Sequence, residues 1–523
     1  MRLQKRAGLA CLGVGLLALA LRLALLPVRP FPEPVIHDEF TYILGAETFC
    51  LGRLANPPHP MWLHFESFQE NGRPTYSSKY PPAQSLFLAL GWKLFGHPWY
   101  GVWLSCGCMC AALCWMLQGW VGPRYALLGG LMAVAQWGIA GYWVNSYWGG
   151  AVAAGAGALV IGAVPRLRRR PTAATAALAA LGIVVLANSR PYEGAVTVLA
   201  AALAMLVWRY RTHRPFRELL AWRVAVPAAA VLACGLGAML YYNYRLTGYP
   251  LLMPYALNQK TYGVAPAFWI LPLSPVPAYH HDVIRQFWTG YEVAMYHRAH
   301  AAPWIIPVFF LRTLWYYFVT PISVIALAAA LLLRRGRKVS ITAAIAGIAA
   351  AGLCLEKFPN AHYYAPATGA ILMLVVLGIQ YVRVKAGKLA ATLLIASFFA
   401  LAAVQVTRLT GDEYPETEFT LHRLAAIHRL ESIPGRHLVI VRYGPGHNLQ
   451  TDWVFNQADI DGSRIVWARD MGASQNRELI EYYKDRRVWL LEPESSNPLP
   501  VPYDTVSSKG APAPQPSNLA AES

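Results

Sequence analysis

The run GLACLGVGLLALALRLALL (residues 8–26) is followed, after a short Pro-rich link, by VIHDEFTYILG (35–45). The first segment has the length and apolarity of a membrane helix, which needs roughly 20 such residues. The second sets Asp38 and Glu39 side by side, flanked by His37 and Tyr42. Adjacent carboxylates just past a span are poor packing material, so the pair points to chemistry at a membrane surface. The rest of the chain repeats the first theme. Of 523 residues, 56% are hydrophobic and 14% charged, too apolar a balance for a soluble globular protein of this size.

Eleven spans are expected, at about 8–26, 99–120, 125–143, 149–164, 172–186, 195–208, 225–242, 308–333, 340–355, 365–382 and 389–406. Several are short, so the bilayer must thin or reach into their flanks. The net charge of +18 is not spread as a nucleic-acid surface would be. It sits in short runs between spans, such as RLRRR (166–170) and RRGRK (334–338). The loops on one side carry twenty Lys and Arg against one acid, Glu218. That asymmetry predicts the N-terminus inside and the C-terminus outside. The first span has no small-x-small cleavage site before the polar loop and reads as an uncleaved anchor. Cys106, Cys110 and Cys114 share one helical stripe and read as small apolar contacts.

The expected membrane domain covers 1–406. It carries two long outer loops, at 27–98 and 243–307. In the first loop, PPAQSLFLALGWKLFG (81–96) reads as a helix lying on the membrane surface. From 407 the composition changes. Helices at 421–433 and 476–486 alternate with strands at 437–444, 463–470 and 487–494, which predicts a small extracytoplasmic α/β domain over 407–494. Residues 495–523, rich in Pro, Ser and Ala, read as a disordered tail.

The distinctive polar residues gather on the outer side: Asp38, Glu39, Lys79, Tyr80, Arg190, Tyr192, Glu193, Lys260, His362 and Tyr363. Polar groups at that depth are costly unless they face water or each other, so they predict one aqueous site above the bilayer. A carboxylate there can take a proton from a hydroxyl. Lys and Arg can hold a phosphate. Arg245 is a further phosphate candidate; Arg312 means either that the 308–333 stretch begins as a broken or interfacial helix or that its side chain faces a phosphate. His280, His281 and Asp282 form either a metal-like cluster or an ordinary loop. Plainer roles exist for several residues. Acids suit a helix N-terminus, Lys79 can snorkel to headgroups, Arg190 and Glu193 can form a structural ion pair, and His362 can sit in an interface.

An acidic pair opening the first outer loop, then KYPPAQSLFLALGWKLFG (79–96), then many spans and a soluble tail, resembles the GT-C glycosyltransferases. Within them it is most similar to the bacterial branch related to protein O-mannosyltransferases and the lipid A aminoarabinose transferase. The resemblance covers about 8–406. It implies a sugar donor on a polyprenyl phosphate and an acceptor that is a protein, lipid or glycan. Asp38 matches the family's loop carboxylate, its catalytic base, and Glu39 that residue's usual neighbour. HYYAP (362–366) matches an aromatic-rich lead-in to a late span. Lys79, Tyr80, Arg190, Tyr192, Glu193, Arg245, Lys260, His362 and Tyr363 are the expected substrate-binding set. Metal use varies in the family, so no cofactor is implied and a divalent metal is left open. The Ala-, Arg- and Gly-rich composition fits a bacterium. The expected enzyme is thus a multi-pass protein of the bacterial inner membrane, acting on the extracytoplasmic face among membrane lipids. The competing readings are a transporter or flippase, which predicts ionisable residues at mid-span and paired repeats, and a scaffold whose tail binds a partner. Neither repeats nor a mid-span relay is present in the sequence.

Overall fold

The computed structural model describes residues 2–213, 215–318, 320–333, 336–358, 360–409 and 417–503. Helix α1 (Arg2–Ala24) leads into α2 (His37–Cys50) and the short pair β1 (Glu70–Asn71) and β2 (Ser77–Ser78). Then come α3 (Ala83–Phe95), α4 (Trp99–Trp120), α5 (Pro123–Ala133), α6 (Gly150–Arg169), α7 (Ala173–Ala187) and α8 (Pro191–Arg211). After the short α9 (Arg217–Leu220), α10 (Trp222–Thr247) returns to α11 (Pro254–Tyr262), α12 (Asp282–Arg285) and α13 (Glu292–Ala301). The last helices of the bundle are α14 (Ile305–Tyr317), α15 (Pro321–Ala328), α16 (Arg337–Leu353), α17 (Thr368–Lys385) and α18 (Gly387–Leu409).

Among the described residues seven helices are long and apolar enough to cross a membrane; they lie in α1, α4, α6, α8, α10, α17 and α18. The remaining expected spans are helical but shorter or broken. Helix α5 runs into a π-helical turn, Val134–Ile139, and stops short of Trp143. Helix α7 has 15 residues and α16 has 17. The expected 308–333 span is two helices, α14 and α15, bent by 111°. Pro321 at the start of α15 explains the break, since proline suits a first helical turn and disfavours continuation through it.

Helices α4, α6 and α17 form the buried centre, while α1, α10 and α18 lie outermost. Two close backbone approaches fix the site's supports. A Cβ on Gly91 or Gly101 would collide with the other helix's backbone, so α3 is pressed onto α4. A Cβ on Gly157 would strike Pro366, so α6 holds the turn that follows His362 and Tyr363. Helix α3 keeps Leu86, Leu90 and Leu94 exposed along one side and buries Leu88, Ala89 and Gly91 on the other.

Residues 418–503 build a four-stranded sheet of order β4-β3-β5-β6, from β3 (His437–Val441), β4 (Ile465–Arg469), β5 (Arg487–Leu491) and β6 (Val501–Pro502). Strand β3 is parallel to β4 and β5, with Leu438 opposite Val466 and Val488. Helices α19 (Glu418–Glu431) and α20 (Ala473–Tyr482) flank it. Strand β6 pairs antiparallel with β5, so the fold extends beyond residue 494, into the stretch that composition assigns to a disordered tail. The rest of that expected tail, from 504, lies outside the described residues.

This α/β unit is docked on the segment between α1 and α4. Phe455 stacks on Phe40 of α2 at 4.2 Å, and Glu47 accepts from Ala458 N at 2.8 Å. Tyr76 donates to Asn456 O at 3.0 Å. Buried Arg469, at the end of β4, donates to Glu66 O at 2.6 Å and pairs with Asp452 at 2.5 Å. Leu44 of α2 shares one apolar cluster with Leu438, Val466 and Leu479.

Candidate active site

Helix α2 starts at His37, with Asp38 and Glu39 both in its first turn, where the helix dipole favours negative charge. The capping and the chemical readings of the pair therefore coexist. The two side chains part company at once, because consecutive helical residues point about 100° apart.

Glu39 turns inward. Its two oxygens accept from Val35 N and Tyr147 N, each at 3.0 Å, and it is 5% exposed. Burial raises its carboxyl to about 7, against the lowering effect of the Val35 and Tyr147 amides. It ties the lead-in of α2 to the 145–148 loop and does not line the cavity described next.

Asp38 faces a cavity of about 360 Å³. Tyr80 donates to its Oδ1 at 2.6 Å, and His37 Nδ1 lies 3.3 Å from the same oxygen. Burial alone would raise the Asp38 carboxyl. The His37 hydrogen bond and charge, the Lys79 ammonium and the Tyr80 hydroxyl overcome it and hold the group well below the usual carboxylate range. Lys79 and Tyr80 follow β2 directly, and Tyr80 stacks on Tyr42 at 4.5 Å. The Lys79 ammonium faces the rings of Tyr80 and Trp288, at 5.2 and 5.7 Å. Burial lowers its pKa, and Asp38 only partly restores it.

The α7–α8 turn brings Arg190 and Glu193, with 3.8 Å between guanidinium and carboxylate. Arg190 also lies over the Tyr363 ring at 4.9 Å. Proline at the first position of α8 places this turn at the cavity edge. The segment after α16 supplies Glu356, Lys357 and Tyr363. Lys357 pairs with Glu292 at the start of α13 and donates to Ala265 O at 3.0 Å. Burial and then Glu193 raise the Glu356 carboxyl to about 9, so it is protonated at neutral pH. The segment between α10 and α14 contributes Asn258 and Gln259 of α11, with Phe287, Trp288 and Tyr291 on the π-helical turn Gln286–Tyr291. One residue of the α/β unit, Gln450, completes the wall.

The cavity thus gathers Asp38, Lys79, Tyr80, Arg190, Glu193 and Tyr363 from the expected set. Others are elsewhere. Tyr192 points away and donates to Gly352 O at 2.8 Å. His362 is buried behind the wall, with Nδ1 3.0 Å from the Tyr142 hydroxyl. Arg245 meets Tyr241 on the exposed side of α10. Lys260 is exposed on α11, and Arg312 lies over Tyr316 on α14. Neither of the last two lines the cavity. Lys357, Glu292, Glu356 and Gln450 were not anticipated. Only the first and third left a signal, as the charged pair that opens EKFPNAHYYAP (356–366).

Among the described residues no group of three or more His, Cys, Asp or Glu side chains is placed to hold a metal ion. The reason at Asp38 is geometric: His37 meets it while Glu39 is turned inward. His280 and His281 are taken up by Glu66 (2.9 Å) and Leu63 O (2.7 Å).

The structure matches the crystal structure of ArnT from Cupriavidus metallidurans in the apo state with a TM-score of 0.55, covering 94% of each chain at 12% identity. The chain shares the fold of ArnT. ArnT from the same organism bound to undecaprenyl phosphate matches with a TM-score of 0.52 and 12% identity, over 96% of this chain and 94% of that one. A weaker likeness, TM-score 0.46 at 12% identity, is to the Archaeoglobus fulgidus oligosaccharyltransferase in complex with Zn and sulfate, over 92% of this chain and 67% of that one. No family model matches the sequence, and no curated protein matches it. What is shared with ArnT across this distance is the fold, over a span that covers both the helical bundle and the α/β unit.

Proposed function

We propose that the protein is a glycosyltransferase that moves a sugar from a polyprenyl-phosphate carrier to an acceptor hydroxyl. The observation that carries this reading is the ionised Asp38 facing the same cavity as Lys79 and Arg190, at one end of an apolar helical bundle. The GT-C fold supports it, and the ArnT relative bound to undecaprenyl phosphate supports a lipid-phosphate donor. The one-sided distribution of Lys and Arg in the loops supports the N-terminus inside and the cavity on the extracytoplasmic face of a bacterial inner membrane.

In this reading the acceptor hydroxyl attacks the anomeric carbon from the side opposite the phosphate. The carbon–oxygen bond to phosphate breaks, its electron pair stays on the phosphate, and the acceptor proton passes to Asp38. Configuration at the anomeric carbon inverts. A strongly acidic Asp38 is a weak base, which suits a reaction whose transition state is oxocarbenium-like and whose proton moves late. It is also reliably ionised at working pH.

The departing phosphate gains a charge, so fixed cations at its oxygens act where the transition state needs them. Lys79 is the leading ligand, because its ammonium lies against the rings of Tyr80 and Trp288, with Asp38 and Glu292 acting on it as neighbouring charges. Arg190, held loosely by Glu193, is the second. Protonated Glu356 adds a neutral donor to the same wall. Trp288 and Tyr291, on the irregular π-helical turn, would close over the sugar.

The test is donor turnover in proteoliposomes containing labelled polyprenyl-phosphate sugars, with membrane extract as mixed acceptor. Wild type should transfer label, and Asp38→Asn should lose about 10²- to 10⁴-fold while keeping its unfolding midpoint. Equal turnover by both proteins would remove Asp38 as base.

A further inference from the structure

The two oxygens of the Asp38 carboxylate have different surroundings. Oδ1 accepts from the Tyr80 hydroxyl at 2.6 Å and meets His37 Nδ1 at 3.3 Å. A carboxylate has about four lone-pair sites, roughly two to each oxygen, so two donors fill Oδ1. Among the described residues no hydrogen bond reaches Oδ2. The side chain is 25% exposed and lines the cavity that holds Lys79 and Arg190.

The two donors come from separate elements, and each is held by its own neighbours. His37 is the first residue of α2, and Tyr80 lies in the link from β2 to α3. Tyr80 is stacked on Tyr42 at 4.5 Å. The His37 ring packs on Phe68 at 5.5 Å and meets Phe287 edge-on at 5.3 Å. An ionised carboxylate can only accept, so His37 Nδ1 carries the proton of its bond to Asp38. Approach from two fixed donors sets the plane of the carboxylate, with one oxygen engaged and the other left to the cavity.

Packing alone does not account for an imidazole at this place. His37 is 3% exposed, and its Nε2 is buried with no hydrogen-bond partner. Burying an unpaired polar atom is unfavourable, and an apolar side chain between two Phe rings avoids that cost. What the imidazole adds is the Nδ1–H on Asp38, the ring's one hydrogen-bond partner among the described residues.

We infer that His37 is a positioning residue for Asp38: with Tyr80 it engages Oδ1, so that Oδ2 is the oxygen that receives the acceptor proton. The acceptor O–H bond breaks as its oxygen bonds to the anomeric carbon, and the proton passes to Oδ2. The electron pair of the broken bond to phosphate leaves with the phosphate. His37 keeps its own proton throughout. The inference rests on the glycosyl-transfer reading with Asp38 as base, and adds to it the residue that orients that base.

The experiment compares wild type, His37→Asn, His37→Gln and Asp38→Asn. Each is full length in proteoliposomes with labelled polyprenyl-phosphate sugar and membrane extract as mixed acceptor, and kcat is expressed per folded protein. The asparagine amide nitrogen can stand where Nδ1 stands and still donate to Asp38, whereas the glutamine nitrogen stands nearer the place of Nε2. His37→Gln should lower kcat tenfold or more with donor KM within twofold of wild type. It should also move the acid limb of the kcat profile up by about one pH unit, because Asp38 loses a donor that favours its ionised form. His37→Asn should stay within threefold of wild type with the limb unmoved. A histidine that only fills space moves neither the limb nor the ratio between the two polar replacements. Equal kcat in the two variants, or an unmoved limb in His37→Gln, overturns the positioning role, while an inactive Asp38→Asn beside them keeps Asp38 as base. Wild-type turnover by Asp38→Asn removes the base and this inference with it. No turnover by wild type overturns the transfer reading itself.

Discussion

Replacing Glu39 with alanine should unfold the site without removing a reacting group. The Glu39 carboxyl receives two N–H groups, from Val35 and Tyr147, each at 3.0 Å, in a place that water does not reach. A buried donor left unpaired costs about 1–3 kcal/mol, so losing both acceptors costs about 2–6 kcal/mol. The size depends on pH in a defined direction. The folded protein keeps a proton on Glu39 up to about 7, whereas the unfolded side chain releases it near 4.5. The wild type therefore loses stability as pH rises through that window, and the alanine variant does not. The gap between them should be wide at pH 5 and narrower at pH 8. Thermal or denaturant unfolding of the detergent-purified proteins at the two pH values measures it. Turnover should fall through donor KM, because the 145–148 loop carries Trp148 into the cavity wall. An alanine variant with wild-type midpoints at both pH values and no turnover would refute the reasoning and put Glu39 in the chemistry.

Three further outcomes follow from the same geometry. Lys79→Met should raise donor KM about 10- to 100-fold with little change in acceptor KM, as expected for one charge-assisted phosphate contact; steady-state kinetics at fixed acceptor measures both. Glu356 is protonated in the folded protein up to about pH 9, and its ionisation adds negative charge beside Glu193, so donor KM should climb as pH passes about 9. Glu356→Gln should flatten that profile, and should also remove the loss of stability that the wild type suffers between pH 4.5 and 9. Arg469→Met strands buried Asp452 and breaks the tie to Glu66 O, which should cost about 3–5 kcal/mol of α/β-unit docking. Limited proteolysis should release that unit faster than from wild type.

The sequence made the helices legible because membrane segments advertise themselves by composition alone. The expected spans fall on helical segments, except that 308–333 is broken into two and 125–143 ends early, and β3, β4 and β5 fall inside segments rich in Val, Ile and Trp. Residues on rigid supports were also readable in part. Asp38 at a helix start, Lys79 after a β-turn pair and Arg190 before the α8 proline all reach one cavity. The segment between α10 and α14 was opaque. Lys260 was singled out for its charge, yet the face that α11 turns to the cavity carries Asn258 and Gln259. The π-helical turn at 286–291 has no local signature that marks it as a wall. Glu39 was indistinguishable from Asp38 in sequence, and only the rotation of one residue along the helix separates a structural clamp from a solvent-facing carboxylate.

The docking of the α/β unit has a consequence for how the protein is made. Contacts such as Glu47 with Ala458, Glu66 with Arg469 and Phe40 with Phe455 join segments some 400 residues apart. Helix α2 emerges early in synthesis, with Phe40 and Leu44 bare until the last sixth of the chain arrives to cover them. Long-range closure of this kind is slow and leaves apolar surface waiting. The half-built protein carries Asp38, Lys79 and Arg190 but lacks Lys357 and Gln450 of the cavity lining. On the proposed reading, a lipid-linked donor meets the complete cavity only after the α/β unit has been made and docked.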